Sequence, residues 1–323
     1  MTGPYLVQSS PHIRAKDTTP RIMVRVIISL LPAFLAAVYY FRLRALALIA
    51  VCVTASLATE AVFLWTRKKP LAPVLDGSAI ITGLLLAMTL PPSFPLGSAI
   101  IGAVVSIGIG KQAFGGLGHN IFNPALVGRA FLSAAFPLAM TTWLPPVTLT
   151  VDVATFATPL GNLKFQEAVA QGTLAPLQNL FWGNIGGCLG ETSAIALLIG
   201  GIYLLFKHTI DWRIPLGSVL SLGVFSGAFW LADPGRYASP LFHLLGGGFL
   251  LGALFMATDM VTSPVTAKAT WVYALGIGLV IGIIRLFSGY PEGVMYSILF
   301  MNTFVPLLNH YLRPRILGER PKK

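Results

Sequence analysis

Long apolar segments separated by short polar links constrain the fold of this chain more than any other feature. Of the 323 residues, 55% are hydrophobic and only 10% are charged, whereas soluble domains carry roughly 25% charged residues. A soluble domain of this length could not enclose so much apolar surface. The sequence therefore predicts an all-α polytopic membrane protein.

Ten segments are apolar over the length that a membrane-spanning helix needs, about 20 residues. The third is short and ends at Pro91-Pro92, which indicates a broken or partly re-entrant helix. The predicted spans are 22–40, 45–65, 76–90, 96–113, 124–140, 186–206, 214–231, 241–258, 270–287 and 293–312. They divide the chain into an N-terminal segment, 1–21, a first membrane half, 22–140, a polar loop, 141–185, a second membrane half, 186–312, and a basic tail, 313–323.

The basic residues favour one orientation of these spans. With the N-terminus inside, most of the 22 Lys and Arg lie on the inner face, and the outer face carries only Arg42, Arg44, Lys164, Arg236 and Arg285. Inner loops of membrane proteins are enriched in Lys and Arg. Both termini are therefore predicted to be cytoplasmic. The same distribution explains the net charge of +11 without nucleic acid as a partner.

Two dipeptides in which a polar residue precedes a proline, hereafter the polar-Pro steps, indicate an internal repeat. Asn123-Pro124 leads into the fifth span and Ser263-Pro264 into the ninth, and both follow Gly-rich segments. Two five-span halves would have opposite orientations, because five is odd. Inverted repeats of this kind build transporter-like folds, so we expect two inverted five-helix repeats.

Acidic residues at span ends are candidates for a cation path, because ionisable residues in membrane segments are rare and often functional. Asp76 begins the third span and Asp259 follows the eighth. The alternative for Asp76 is structural, since the sequence at 76–78 has the pattern of a helix N-cap. Glu60 and Glu191 also lie near span ends.

The segment 110–129 combines glycines, hydrogen-bond donors and two phenylalanines. Glycine lets another group approach the backbone closely, and this mixture suits a flat heteroaromatic ligand. An ordinary interhelical loop explains it equally well. The candidate ligand residues are His119, Asn120, Asn123 and Arg129.

Signatures of other chemistries are absent from the sequence. It has no phosphate-binding loop, zinc-protease motif or nucleophile elbow, so hydrolysis and nucleotide-driven pumping have no visible machinery. Cys52 and Cys188 are too few for an iron–sulfur cluster of their own, which needs about four ligands. Both are expected to be small buried residues in helices.

The predicted outer loop contains one short pattern, Asp152-Val-Ala-Thr-Phe-Ala-Thr-Pro-Leu160. Together with 76–86 and 115–129, it resembles the RnfD family of the Rnf complex and, more distantly, the NqrB subunits of the sodium-pumping NADH:quinone reductase. In that family a flavin transferase recognises D-x-x-[ST]-x-A-T and attaches flavin mononucleotide (FMN), through its phosphate, to the last threonine.

The resemblance implies specific roles for residues of this loop. Thr158 would bear covalent FMN, and the recognition residues would be Asp152, Thr155 and Ala157. The family often has glycine at the positions of Val153 and Phe156, and the bulky Phe156 is the larger departure. An alternative from the residues alone is that the two threonines are ordinary loop residues before a proline.

The resemblance also implies a second, noncovalent flavin, riboflavin, within the helices, and the His119–Arg129 region is the candidate site. A hydrocarbon core about 30 Å thick is long for a single electron hop. The implied protein is a flavin-carrying membrane subunit of an ion-translocating ferredoxin:NAD⁺ oxidoreductase in the bacterial cytoplasmic (inner) membrane. Its expected partners are a flavin transferase, the lipid bilayer, Na⁺ or H⁺, and the Rnf proteins RnfA, RnfB, RnfC, RnfE and RnfG.

Two other functions remain open from the residues. One is an NqrB-like subunit of a sodium-pumping quinone reductase, which differs in its electron acceptor. The other is a non-redox channel or secondary transporter for a small polar solute, which the repeat and the Gly-rich helices suit equally well.

Overall fold

The computed structural model describes residues 17–146, 157–165, 169 and 172–314. Every regular element within these ranges is a helix, as the composition predicts. The helices are α1 (Thr19–Thr66), α2 (Ser78–Met88), α3 (Leu96–Ile107), α4 (Pro124–Ala135), α5 (Pro137–Met140), α6 (Pro159–Phe165), α7 (Leu177–Trp182), α8 (Ala194–Phe206), α9 (Arg213–Ala232), α10 (Pro240–Leu245), α11 (Phe249–Leu251), α12 (Ala267–Phe287) and α13 (Val294–Tyr311). A 3₁₀-helix covers Ala72–Asp76, and two π-helices cover Gly108–Gln112 and Gly252–Met256.

Helix α1 contains the first two predicted spans. Arg42, in the short link predicted between them, has φ 51° and ψ −132°. A left-handed φ breaks the helical hydrogen-bond ladder, so Arg42 divides α1 into two arms. These arms correspond to the predicted spans 22–40 and 45–65.

Three helices of the described ranges are long and apolar enough to cross a membrane: α1, α9 and α12. Shorter apolar helices cover Ser78–Met88, Leu96–Gln112, Pro124–Ala135 and Ala194–Phe206. The structure is therefore that of an α-helical membrane protein in which several predicted spans are shorter than a full crossing.

Two predicted spans are interrupted for a visible reason. The segment predicted as 186–206 becomes helical only at Ala194, because the residues before it include Gly186, Gly187 and Gly190 and each glycine costs a helix about 1 kcal/mol. The segment 241–258 is divided into α10, α11 and a π-helix, and Gly247 at the break has φ +66°. At both breaks, backbone groups bond to partners outside a helix: Gly190 N donates to Met88 O at 2.7 Å, and Gly246 O accepts from Arg285 Nη2 at 3.0 Å.

Small residues allow the helices to pack closely. A Cβ on Gly83 of α2 would lie 2.7 Å from Val53 Cα of α1, and one on Gly278 of α12 would clash with Ser218 O of α9. Glycine at these positions therefore brings backbone against backbone, as is common between membrane helices.

The two π-helices place side chains toward one cavity. Lys111, in the first, and Phe255, in the second, both line it. π-Helical turns occur frequently at functional sites. Each precedes one of the polar-Pro steps, Asn123-Pro124 and Ser263-Pro264.

Candidate functional site

The first candidate site is a cavity of about 100 Å³ near the start of α4 and the second π-helix, hereafter the asparagine cavity. Apolar side chains from α2, α8 and the second π-helix form much of its wall, among them Ile81, Leu85, Leu204 and Phe255. Its polar lining includes Ser78, Lys111, Asn120, Asn123, Thr209 and Asp259. An apolar wall with a few polar groups is typical of small-molecule sites.

Asn123 is the structural anchor of this cavity. Its Oδ1 accepts hydrogen bonds from Ala125 N at 3.1 Å and Leu126 N at 3.4 Å, and so caps α4. Its Nδ2 donates to Met256 O at 3.1 Å. One side chain therefore starts α4 and ties it to the second π-helix.

Two polar atoms at the cavity have no hydrogen-bond partner among the described residues. Asn120 Nδ2 donates to Phe122 O at 3.3 Å, but its Oδ1 is buried without a partner, as is Thr209 Oγ1. An unsatisfied buried polar group costs about 1–3 kcal/mol. These atoms are positioned to bind a ligand that offers donors or acceptors.

A chain of buried polar residues runs along one side of the cavity. Lys111 Nζ lies 2.6 Å from Glu60 Oε1 and donates to Ser78 Oγ at 2.6 Å. The Ser78 hydroxyl in turn donates to Asp76 Oδ1, and Gln112 Nε2 donates to Glu60 Oε1 at 3.0 Å. This chain connects Asp76 to the cavity wall.

Both predicted ion-path residues lie near the asparagine cavity. Asp259 lines it, and its Oδ2 accepts from Thr262 Oγ1 at 3.1 Å. Asp76 accepts from Ser78 N at 2.7 Å and so caps α2 from outside the helix. The N-cap residue itself is Gly77, one position after the predicted one, so Asp76 caps α2 from the residue before the N-cap.

The structure separates the four predicted ligand residues of the 119–129 region. Asn120 and Asn123 line the asparagine cavity, whereas His119 is exposed. Arg129 does not line the cavity, and its Nη2 instead lies 2.6 Å from Glu292 Oε2. Sequence spacing alone could not distinguish these environments, because all four residues lie within 11 positions in the chain.

The second candidate site surrounds Thr158. Asp152, Thr155 and Phe156 lie outside the described residues, and Ala157 is exposed. Thr158 is 7% exposed and immediately precedes α6. Its Oγ1 accepts a hydrogen bond from Gly161 N at 3.0 Å, which is the geometry of a helix N-cap. The hydroxyl is therefore held in a fixed position.

A buried charged cluster adjoins Thr158. This carboxylate cluster consists of Arg129, Cys188, Glu191 and Glu292, and ligand atoms of the last three lie within 4.8 Å of one another. Glu191 and Glu292 line the same small space as Thr158. The hydropathy pattern predicts Cys188 and Glu191 inside a helix, but both lie in the glycine-rich segment before α8. The role of Glu292 was not predicted.

A cavity of about 510 Å³, the basic cavity, is lined in part by Leu160, Leu163 and Lys164 of α6. Its lining includes Lys164, Arg236, His243 and Arg285. Lys164 Nζ donates to Arg285 O at 2.9 Å, and burial lowers the pKa of this amine. Arg285 donates from Nη1 to His243 O and from Nη2 to Gly246 O at 3.0 Å. Lys164 and Arg285 thus fix the end of α12 against α6 and α10.

The asparagine cavity and Thr158 offer two kinds of chemistry. The asparagine cavity has donors and acceptors for a flat polar ligand between apolar walls. Thr158 offers an oxygen that can carry an ester while it still accepts the Gly161 N–H, because a phosphoester oxygen keeps an acceptor lone pair.

Comparison with known proteins identifies the family of the chain. Residues 6–318 match the NQR2, RnfD, RnfE family. The chain is 50% identical to the D subunit of the Na⁺-translocating ferredoxin:NAD⁺ oxidoreductase complex of Acetobacterium woodii, over 97% of this chain and 95% of that protein. It is 43% identical to the D subunit of the proton-translocating ferredoxin:NAD⁺ oxidoreductase complex of Clostridium ljungdahlii, over 98% of this chain and 97% of that protein. It is 39% identical to the D subunit of the ion-translocating oxidoreductase complex of Stutzerimonas stutzeri, over 95% of this chain and 94% of that protein. The chain therefore belongs to the NQR2, RnfD, RnfE family and is a homologue of the D subunits of ion-translocating oxidoreductase complexes.

Proposed function

We propose that this protein is the flavin-carrying D subunit of an ion-translocating ferredoxin:NAD⁺ oxidoreductase complex. The observation that carries this proposal is the identity of 50% and 43%, over nearly the whole chain, with subunits named for that activity. Ferredoxin and nicotinamide sites then belong to partner subunits. The partners are RnfA, RnfB, RnfC, RnfE and RnfG.

Covalent FMN on Thr158 is the first element of the proposal. A bound flavin would supply one- and two-electron redox chemistry through its ring. The Gly161 N–H holds the Thr158 oxygen in place, and a phosphoester at this oxygen leaves the ring free. A flavin transferase needs the oxygen to be accessible, and Thr158 is 7% exposed. We therefore expect attachment to occur before the segment packs.

A noncovalent flavin in the asparagine cavity, riboflavin, is the second element. The unpartnered Asn120 Oδ1 and Thr209 Oγ1 would pair with polar groups of its ring or ribityl chain. The cavity of about 100 Å³ is below the roughly 300–1,000 Å³ of small-molecule sites. Binding therefore requires the flexible side chains of its lining, Met23 and Met260, to move.

Coupling to Na⁺ or H⁺ transport is the third element. Asp259 lines the asparagine cavity and Asp76 reaches it through Ser78 and Lys111. A charge change on a ligand in this cavity would act directly on these groups, since Coulomb interactions are strong where water is excluded. The path of the ion is proposed to begin at these two carboxylates.

Ten spans with both termini in the cytoplasm of a bacterial inner membrane complete the proposal. Contacts between links assigned to one face support it. Tyr40 OH donates to Trp182 O at 3.0 Å between outer segments, and Arg67 Nη2 donates to Gln112 O at 2.7 Å between inner segments. The matching π-helices support two inverted halves.

The experiment measures flavin fluorescence of the denatured chain in a gel, after production with the flavin transferase. We expect a fluorescent wild-type band and a dark Thr158→Ala band. Thr142→Ala, in the same predicted outer loop, is the control and should fluoresce. A dark wild-type band would favour the non-redox transporter. An NqrB-like subunit would instead fluoresce and support quinone reduction in the purified complex.

A further inference from the structure

The basic cavity has the size and the charge of an anion-binding site. Its volume of about 510 Å³ lies within the roughly 300–1,000 Å³ of small-molecule sites. Lys164, Arg236 and Arg285 line it, and its described lining residues include no Asp or Glu. Thr158 lines a different, smaller space. The charge of the basic cavity therefore favours a negatively charged occupant.

Two buried side chains of the lining have polar atoms without a hydrogen-bond partner among the described residues. His243 is 2% exposed, and neither of its ring nitrogens has a partner. Arg285 is 5% exposed, and its Nε has no partner either. Buried polar groups in folded proteins are nearly always paired. The Nε–H of Arg285 and a ring N–H of His243 are therefore donors that an anion in the cavity can use.

The fold holds the Arg285 guanidinium in place through its other nitrogens. Nη1 donates to His243 O, and Nη2 donates to Gly246 O at 3.0 Å. Gly247 has φ +66°, and a Cβ at this position would lie 3.0 Å from Arg285 Nη2. Glycine here leaves room for the guanidinium, so the donor at Nε is positioned before any ligand binds.

The carboxylates nearest to Arg285 do not cancel the charge of the cavity. Glu191 and Glu292 interact electrostatically with Arg285. Arg129 Nη2 lies 2.6 Å from Glu292 Oε2. Arg129 and Arg285 thus match the two carboxylates in number, and the remaining cations of the lining supply an excess of positive charge.

Those remaining cations are Lys164 and Arg236, and neither forms an ion pair among the described residues. Lys164 Nζ donates to three uncharged backbone carbonyls, at 2.9–3.3 Å. Arg236 is exposed, and its guanidinium lies 5.7 Å from the centre of the Tyr237 ring. Lys164 therefore contributes charge alone, whereas Arg236 also offers free N–H donors.

Apolar side chains lie beside these cations. Leu160, Leu163 and Leu286 line the basic cavity. Phe287, the last residue of α12, also lines it and is 61% exposed. Basic pockets between membrane helices bind the headgroups of anionic lipids, and here an acyl chain could lie along the exposed aromatic ring.

We propose that the basic cavity binds a phosphate group, supplied by the headgroup of an anionic phospholipid or by free phosphate. Arg236 and the Nε–H of Arg285 donate to the phosphate oxygens, because guanidinium groups form strong charge-assisted hydrogen bonds with phosphate. The His243 ring donates a further hydrogen bond. The site does not depend on attachment of FMN to Thr158.

The first experiment measures lipid binding to the purified full-length chain by native mass spectrometry. The Thr158→Ala background excludes a covalent FMN phosphate. We expect phosphatidylglycerol to be retained and phosphatidylcholine to be lost, because the choline cation is repelled by the lining. Arg236→Gln should weaken phosphatidylglycerol binding about fivefold, the effect of one basic residue at an anionic lipid surface. Arg44→Gln, exposed in the predicted outer face, is the control and should not.

The second experiment titrates inorganic phosphate into the same proteins by calorimetry and identifies the source. Retention of phosphatidylglycerol, weakened by Arg236→Gln, assigns the site to lipid. Phosphate binding that the same variant weakens, without lipid retention, assigns it to free phosphate. Either result supports the proposal, and an unchanged unfolding temperature confirms that Arg236→Gln folds.

Three results would overturn the proposal. The first is that neither phosphatidylglycerol nor inorganic phosphate binds. The second is that binding is unchanged in both Arg236→Gln and His243→Leu. Glu167 lies outside the described residues, so Glu167→Gln is also measured. Binding that occurs only in this variant is the third, since the native cavity would then not accept phosphate.

Discussion

Lys111 Nζ and Glu60 Oε1 lie 2.6 Å apart, and each side chain is only 2% exposed. Breaking a buried ion pair by removing one partner costs about 3–5 kcal/mol, because the other charge is left uncompensated. We therefore expect Lys111→Met to lower the stability of the protein in detergent by about that amount, measured by thermal unfolding. The double variant Glu60→Gln/Lys111→Met should recover much of the loss.

The control for this pair is the exposed contact between Arg25 and Asp17, with 2.9 Å between Nη2 and Oδ1. Exposed pairs contribute about 0–1 kcal/mol, so Asp17→Asn should change stability little. If Lys111→Met were as mild as Asp17→Asn, the pair would not be held in a buried environment.

Asn123→Ala is expected to lose the cap of α4 and its link to Met256. The cap alone is worth about 1 kcal/mol, and we also expect loss of the noncovalent flavin. Acid precipitation of the purified protein releases the noncovalent flavin, and the amount released measures its loss. The control is Ser193→Ala, which removes the hydroxyl that accepts from Ala196 N and caps α8. This variant should keep the flavin. Equal flavin content in the two variants would argue against the asparagine cavity as the site.

Arg285→Lys is expected to release the end of α12. The guanidinium reaches His243 O and Gly246 O with two separate nitrogens, whereas a lysine has a single, differently placed nitrogen, and each lost charge-assisted bond costs about 1.5–3 kcal/mol. Hydrogen exchange of residues 240–248 should become faster. Arg236→Lys, in the same cavity lining but partly stacked on Tyr237, should leave this exchange unchanged. Unchanged exchange in Arg285→Lys would show that the two carbonyl contacts do not hold the segment.

Asp76→Asn/Asp259→Asn tests the ion path. In proteoliposomes that contain the whole complex, we expect ion uptake driven by electron transfer to fall at least tenfold, because Asp259 lines the asparagine cavity and Asp76 is linked to it through Ser78. Covalent flavin fluorescence should be unchanged, which controls for misfolding. Intact ion uptake in the double variant would rule out these residues as the path.

Sequence patterns predicted the helical segments well where they were uniformly apolar. The spans predicted at 214–231 and 270–287 match α9 and α12 within a few residues. The prediction was poorest around Gly246, where a continuous apolar run hides a break. Hydropathy reports the solubility of a segment in the membrane, and it does not distinguish a continuous helix from a broken one.

The residues of the candidate sites also fall into two groups, those that a local sequence pattern could predict and those that it could not. Asn120, Asn123 and Asp259 could be predicted because polar residues stand out against apolar neighbours. The Arg129–Glu292 pair could not, since its members lie 163 positions apart and Glu292 looks like an ordinary loop residue. Long-range pairing is determined by how the helices pack, and no local pattern records it.

The central claim is that FMN is attached to the Oγ of Thr158, and peptide mass spectrometry of the chain produced with its flavin transferase tests it most directly. We predict that the peptide containing Thr158 gains the mass of one FMN less one water. Fragmentation should place this mass on Thr158, and Thr158→Ala should abolish it. An unmodified peptide, or the same mass located on Thr155, would contradict attachment at Thr158.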